Sequence, residues 1–124
     1  MTTPAIQDIS RERALLTFVY NAFNRRVIDS ILSVMHPEVE WPNGMEGGWV
    51  HGREGVRAYW TRQWGMFDPH VDPVQFHEEE NGKVVVDVHQ VVRDLSGTVL
   101  LERIVQHAYL IRDGLIVRME IRET

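Results

Sequence analysis

The side chains best suited to holding a small organic molecule crowd into one short stretch. All four tryptophans, Trp41, Trp49, Trp60 and Trp64, fall between Glu38 and Trp64, around a glycine-rich segment that carries Asn43, Glu46 and His51. Each indole brings a large rigid apolar face and one N–H donor, so tryptophans packed against a sheet can wall a pocket. His51 precedes a helix on a loop, a place where functional groups concentrate, and a histidine is the side chain that titrates nearest neutral pH. It is the acid/base candidate; an exposed histidine at the start of a helix is the plainer reading. Asn43 and Glu46 share its loop and could touch a ligand at a pocket mouth.

Three more polar groups fall on otherwise apolar surfaces. Tyr20, on the first helix, is either a hydroxyl donor to a ligand or a core tyrosine. Gln90 and Gln106 are the polar members of two apolar strand faces. They either orient a ligand carbonyl or hydroxyl, or satisfy each other, because buried polar groups must find partners. Trp41, Trp60, Trp64, Phe67 and Met119 complete the expected cavity wall, although an apolar stripe is often plain core. His89 and His107 are expected on the outer face of adjacent strands, as an interface pair.

Composition excludes several classes of chemistry. The net charge of −5 and pI near 5.6 argue against a nucleic-acid partner, which normally calls for a basic surface. The chain has no cysteine, so disulfides and thiolate catalysis are out. No Gly-x-Ser-x-Gly, phosphate loop, dinucleotide fingerprint or His-Glu-x-x-His occurs. No metal site and no cofactor are therefore expected. Without a signal-peptide pattern or an apolar run of membrane-spanning length, the reading is a cytoplasmic protein with no membrane partner.

The elements that must position these residues are legible as periodicity. One domain, residues 1–124, is expected from the length. Leu15, Leu16, Val19, Ala22 and Phe23 recur at helical spacing over about 9–24, with Asp8 or Ser10 as the cap. A second helix is expected over about 27–36, stopped by Pro37. Val39 and Trp41 then alternate with Glu38 and Glu40 as a strand. Val56, Trp60, Trp64 and Phe67 form the stripe of a third helix starting near Gly52 and ended by Asp68-Pro69. Four long alternating runs follow, Val71–Glu80, Lys83–Leu95, Thr98–Arg112 and Leu115–Glu123, broken by Asn81-Gly82, Ser96-Gly97 and Asp113-Gly114. Such breaks suit tight hairpins. Helices followed by strands mean an α+β fold. On the last three strands, the sets Val84/Val86/Val88/Gln90/Val92, Ile104/Gln106/Ala108/Leu110 and Leu115/Val117/Met119/Ile121 are expected to face the helices. The half-apolar outer face suits a homodimer.

The order of these elements, with Tyr20-Asn-Ala-Phe-Asn24, His36-Pro-Glu-Val-Glu-Trp-Pro-Asn43, His51-Gly-Arg-Glu-Gly-Val-Arg-Ala-Tyr-Trp60 and His107-Ala-Tyr-Leu-Ile-Arg-Asp-Gly114, resembles the nuclear transport factor 2-like superfamily and its SnoaL-like members. The resemblance spans nearly the whole chain. It implies a cone-shaped curved antiparallel sheet wrapped around N-terminal helices. It also implies a small apolar or cyclic ligand, and possible cofactor-free isomerase, cyclase or dehydratase chemistry on a cyclic carbonyl compound. A non-catalytic dimeric module is the alternative. The chain departs from the steroid isomerases of that superfamily at three places. Trp41 stands where they carry an aspartate, Val19 where they carry a tyrosine, and Gln106 where they carry a second acid. Tryptophan, valine and glutamine do not titrate, which argues against steroid isomerisation. The closing-strand acid of the SnoaL-like cyclases falls near Glu120, which the alternation points outward.

Overall fold

Residues 9–123 are described by the computed structural model. In chain order they form α1 (Ser10–Asn24), α2 (Ile28–Leu32), β1 (Met35–Pro42), β2 (Trp49–His51), α3 (Gly52–Trp64), β3 (Phe67–Glu78), β4 (Val84–Asp94), β5 (Val99–Arg112) and β6 (Leu115–Glu123). The strands make one six-stranded sheet in the order β2-β1-β6-β5-β4-β3. The architecture is α+β, with a curved, unclosed sheet against the helices. Every neighbouring pair is antiparallel except β1 and β6, which run parallel.

Burial follows the alternation on most elements. Val84, Val86 and Val88 are buried on the inner face of β4, Val39 and Trp41 on β1, and Leu16, Val19, Tyr20, Val56 and Trp60 on the helices above them. Removing each such side chain from water contributes roughly 1.5–3 kcal/mol. At the β5–β6 hairpin, Asp113 and Gly114 take φ of 53° and 77°, the left-handed pair that a two-residue turn matched to strand twist requires.

Several boundaries differ from the sequence expectation. α2 ends at Leu32, because the Val34 carbonyl accepts from Ile116 N–H and Met35 pairs with Ile116. Sheet pairing there outweighs helical periodicity, and Pro37 lies inside β1. α3 ends at Trp64; Phe67, Asp68 and Pro69 already belong to β3. The cap position of α1 is Ile9, where no side-chain capping bond is made among the described residues; Asp8 lies outside them. The glycine-rich segment also contains β2, which pairs Trp49 and Val50 with Pro42 and Trp41.

The inner face of β5 is inverted relative to expectation. Register pairs Val84 with Tyr109, Val86 with His107, Val88 with Val105 and Gln90 with Arg103, so these β5 residues face the helices. Gln106 and Ile104 face outward. Val92 pairs with Leu101 but Arg93 with Val99, so Leu100 is a bulged residue; beyond it the register is the one a two-residue Ser96-Gly97 turn gives, which sets His107, not Gln106, opposite Val86. A second slip, between Leu110 and Ile111, makes Val117 the extra residue and turns Ile116 into the core. His89 and His107 therefore lie on opposite faces.

Two tethers fix the helices on the sheet. The Asn24 side chain donates from Nδ2 to the Val71 carbonyl at 2.8 Å and accepts from Val71 N–H at 2.9 Å, tying α1 to β3, the edge strand that also holds Pro69 and Pro73. Arg53 donates from Nε and Nη2 to the Met35 carbonyl at 2.9 and 2.6 Å, fixing the start of α3 against β1. Gly52, just before it, has φ +74° and a backbone so close that an added Cβ would meet the Pro37 carbonyl at 3.3 Å.

Candidate functional site

Between α1, α3 and the inner sheet face lies a cavity of about 680 Å³, within the range of small-molecule sites. Its walls are largely aromatic and aliphatic. Phe23 comes from α1, Trp60 and Tyr59 from α3, Trp41 from β1, Phe67 from β3, and Leu100 and Leu101 from β5. Trp41 and Trp60 meet edge-to-face at 5.3 Å, a geometry the ring quadrupoles favour.

The polar groups of the interior are concentrated in one chain. Tyr109 O–H donates to the Tyr20 hydroxyl at 2.8 Å, and that hydroxyl lies 2.8 Å from His107 Nδ1. All three residues are buried and line the cavity. Burial, with the nearby Arg103 guanidinium adding to it, pushes His107 down from 6.5 to about 4, so its ring is neutral at pH 7. Burial likewise raises both phenols, with the Tyr109 charge and hydrogen bond adding to the effect on Tyr20, so both stay protonated. One arrangement of hydrogens then satisfies every group. Tyr109 donates to Tyr20, Tyr20 donates to Nδ1, and the imidazole proton sits on Nε2. Nε2 makes no hydrogen bond among the described residues and is left as a donor for whatever occupies the cavity.

That arrangement suits polarising a carbonyl better than passing a proton along the chain. Donation from a neutral imidazole is an established way to stabilise a developing oxyanion. Full transfer from Nε2 would draw the Tyr20 proton to Nδ1 and the Tyr109 proton to Tyr20, leaving a buried phenolate. The raised Tyr109 phenol makes that end state costly.

A second polar pair lies farther along the same strands. Arg103 donates from Nε to Gln90 Oε1 at 2.9 Å and from Nη1 to Glu123 at 3.2 Å; Gln90 and Arg103 both line the cavity. At the mouth, Glu46 ion-pairs with Arg62. The loop it occupies is held by Asn43, whose Oδ1 accepts from Met45 and Glu46 N–H, and by Tyr59, whose hydroxyl accepts from Gly44 N–H at 3.0 Å.

Of the residues singled out from sequence, Tyr20, Trp41, Glu46, Trp60, Phe67, Gln90 and Met119 line the cavity. Five lie outside its lining, among them Trp49, which is exposed beneath the Arg118 guanidinium. Asn43 shapes the mouth loop. Trp64 stacks behind Trp60 at 5.8 Å, its buried Nε1 without a partner among the described residues. Gln106 faces outward and donates to Asp87 at 2.9 Å. His51 is exposed, 3.9 Å from Glu40, because β2 carries it away from the interior. Sequence reasoning put His107 on the outer face, which the register corrects, and did not single out Tyr109 or Arg103. The available signal was Val105 and Tyr109, which flank His107 two residues away on the same face. Among the described residues no three His, Asp or Glu converge as metal ligands, and no helix is long and apolar enough to cross a membrane.

The family profile of the SnoaL-like domain matches residues 17–119, and the chain belongs to that family. Among solved structures, TerC co-crystallised with polyporic acid is 31% identical, with a TM-score of 0.79 over 93% of this chain and 92% of that one. An NTF2-like protein of unknown function from Burkholderia pseudomallei is 24% identical, with a TM-score of 0.79 over 93% and 92%. A putative polyketide cyclase from Xanthomonas campestris pv. campestris is 20% identical, with a TM-score of 0.74 over 92% and 90%. No curated protein sequence matches the chain. The fold is thus one shared by small-molecule-binding and cyclase-type proteins.

Proposed function

We propose that the protein binds a cyclic carbonyl compound in the aromatic cavity, with the carbonyl oxygen on His107 Nε2–H. Any turnover would be cofactor-free proton transfer beside that carbonyl, as in isomerisation, cyclisation or dehydration. The observation that carries this reading is the Tyr109–Tyr20–His107 chain, which leaves the His107 Nε2–H as a donor beside the aromatic wall of the cavity. The small molecule in the 31% identical TerC structure, polyporic acid, supports it. We assign the role first sought at His51 to His107, because His51 is exposed outside the cavity.

Fluorene and fluorenone, which share a skeleton and differ by the carbonyl, test the reading. Trp41 and Trp60 line the cavity, so binding should quench indole fluorescence saturably. Fluorenone should bind about tenfold tighter than fluorene, the order expected for one well-placed hydrogen bond. His107→Phe should erase that difference while keeping fluorene affinity. No saturable quenching by either compound, nor by a steroid enone, would favour the dimeric scaffold instead. We infer further that two copies pair through the outer sheet face, where Ile104 is exposed.

A further inference from the structure

The second polar pair gives the ligand a charge. Arg103 is a cation in the wall of an apolar cavity, at a position where β5 otherwise turns Val105, His107 and Tyr109 inward. Its guanidinium is half-buried, with 35% of the side chain exposed, and its ion-pair partner Glu123 is 80% exposed. Gln90 Oε1 fixes Nε from across the strand pair, which holds the guanidinium plane in one orientation. Among the described residues Nη2 makes no hydrogen bond. The other charged residues of the lining, Glu46 and Arg62, neutralise each other at the mouth. Beyond that pair the lining carries one guanidinium, whose own carboxylate partner Glu123 lies outside the lining and largely in solvent, and whose Nη2 edge makes no bond among the described residues. A half-desolvated guanidinium is stabilised best by a carboxylate or other oxyanion received bidentately.

Accepting the carbonyl site at His107, we propose that the ligand is a multi-ring carbonyl compound carrying an acidic oxygen group, whose anion is received by Arg103 and oriented by Gln90. Arg103 and His107 are four residues apart on one strand, so their Cα atoms are separated by roughly 13 Å at the strand rise. The long arginine side chain shortens the remaining gap, and a skeleton of two or three fused rings bridges it. A neutral compound of the same shape leaves the Nη2 edge without an oxyanion and the guanidinium with only its exposed partner Glu123. Selection between acid and ester thus falls to this one residue.

The test compares 9-fluorenone-2-carboxylate, its methyl ester and unsubstituted fluorenone at pH 7.5, read by tryptophan quenching. The acid should bind at least about tenfold tighter than the ester, as a charge-assisted bond implies. The preference should shrink as salt rises, because the pair is partly solvent-exposed. Arg103→Met should bring acid and ester to equal affinity, with the ester unchanged; Arg103→Lys should restore part of the preference. Fluorenone binding with no preference for the acid in the wild-type chain would overturn this inference and leave the carbonyl site standing. No binding by any of the three would overturn both. The wild-type ratio alone decides the matter if the variants fail to fold.

Discussion

His107 governs how the site responds to acid. Its folded-state value near 4 lies below the ordinary 6.5, so between those two the unfolded chain takes up a proton that the folded chain refuses. Stability from the neutral ring is complete above about pH 6.5 and is lost as pH falls toward 4, by up to about 3 kcal/mol. Denaturant titrations at pH 7 and 5 should show a loss in the wild type that His107→Phe lacks; equal slopes would mean that the ring is not held neutral. The lowered carboxyls of Glu79, bonded to Arg122, and Glu120, bonded to Lys83, also lose stability on acidification, but at lower pH. The residue-level record of the sequence is mixed for a physical reason. Of the tryptophans, Trp41 and Trp60 wall the cavity, while Trp64 packs behind Trp60 and Trp49 is exposed, since bulk calls for burial but does not say against what. A histidine in a strand announces nothing until the face is known, and β5 mixes polar and apolar residues on both faces.

At the scale of elements, strand and hairpin boundaries in the second half were legible because β-branched alternation and Gly-containing turns agree. Bulges were not. An extra residue at Leu100 interrupts the ladder, and alternation alone did not say which of the two mixed faces of β5 turns inward, which misplaced Gln106 and His107. The second helix failed for a related reason: Ile28, Ile31, Leu32 and Met35 fit a helical period, but β6 captures Met35. At the join of β2 and α3 the backbone passes close to β1. Gly52→Ala should cost about 1 kcal/mol or more, since alanine must adopt a positive φ and press on the Pro37 carbonyl. Thermal unfolding would register this as a drop of several degrees. An unchanged midpoint would mean that β1 yields there without strain.

On the scale of the whole molecule, the α+β class followed from the order of helices and strands, whereas the parallel β1–β6 pairing had no local signature. It joins segments about 80 residues apart in sequence, and only the curving of the sheet around the shared core brings them together. The outer face carries the Arg122–Glu79 and Lys83–Glu120 pairs at one end and exposed Ile104 at the other. If copies pair there, sedimentation should give twice the chain mass, and Ile104→Glu should halve it without unfolding the protein; a monomeric wild type would end the idea. The Asn24 tether has a consequence for life in crowded solution. An edge strand is an invitation to other chains, since its outward backbone groups can template a foreign strand. On β3 the outward N–H and C=O of Val71 are already spoken for by a side-chain amide. Pro69 and Pro73, two residues to either side, have no N–H to offer. The same bonds that seat α1 over the cavity thus deny the exposed margin of the sheet to fibril-like stacking.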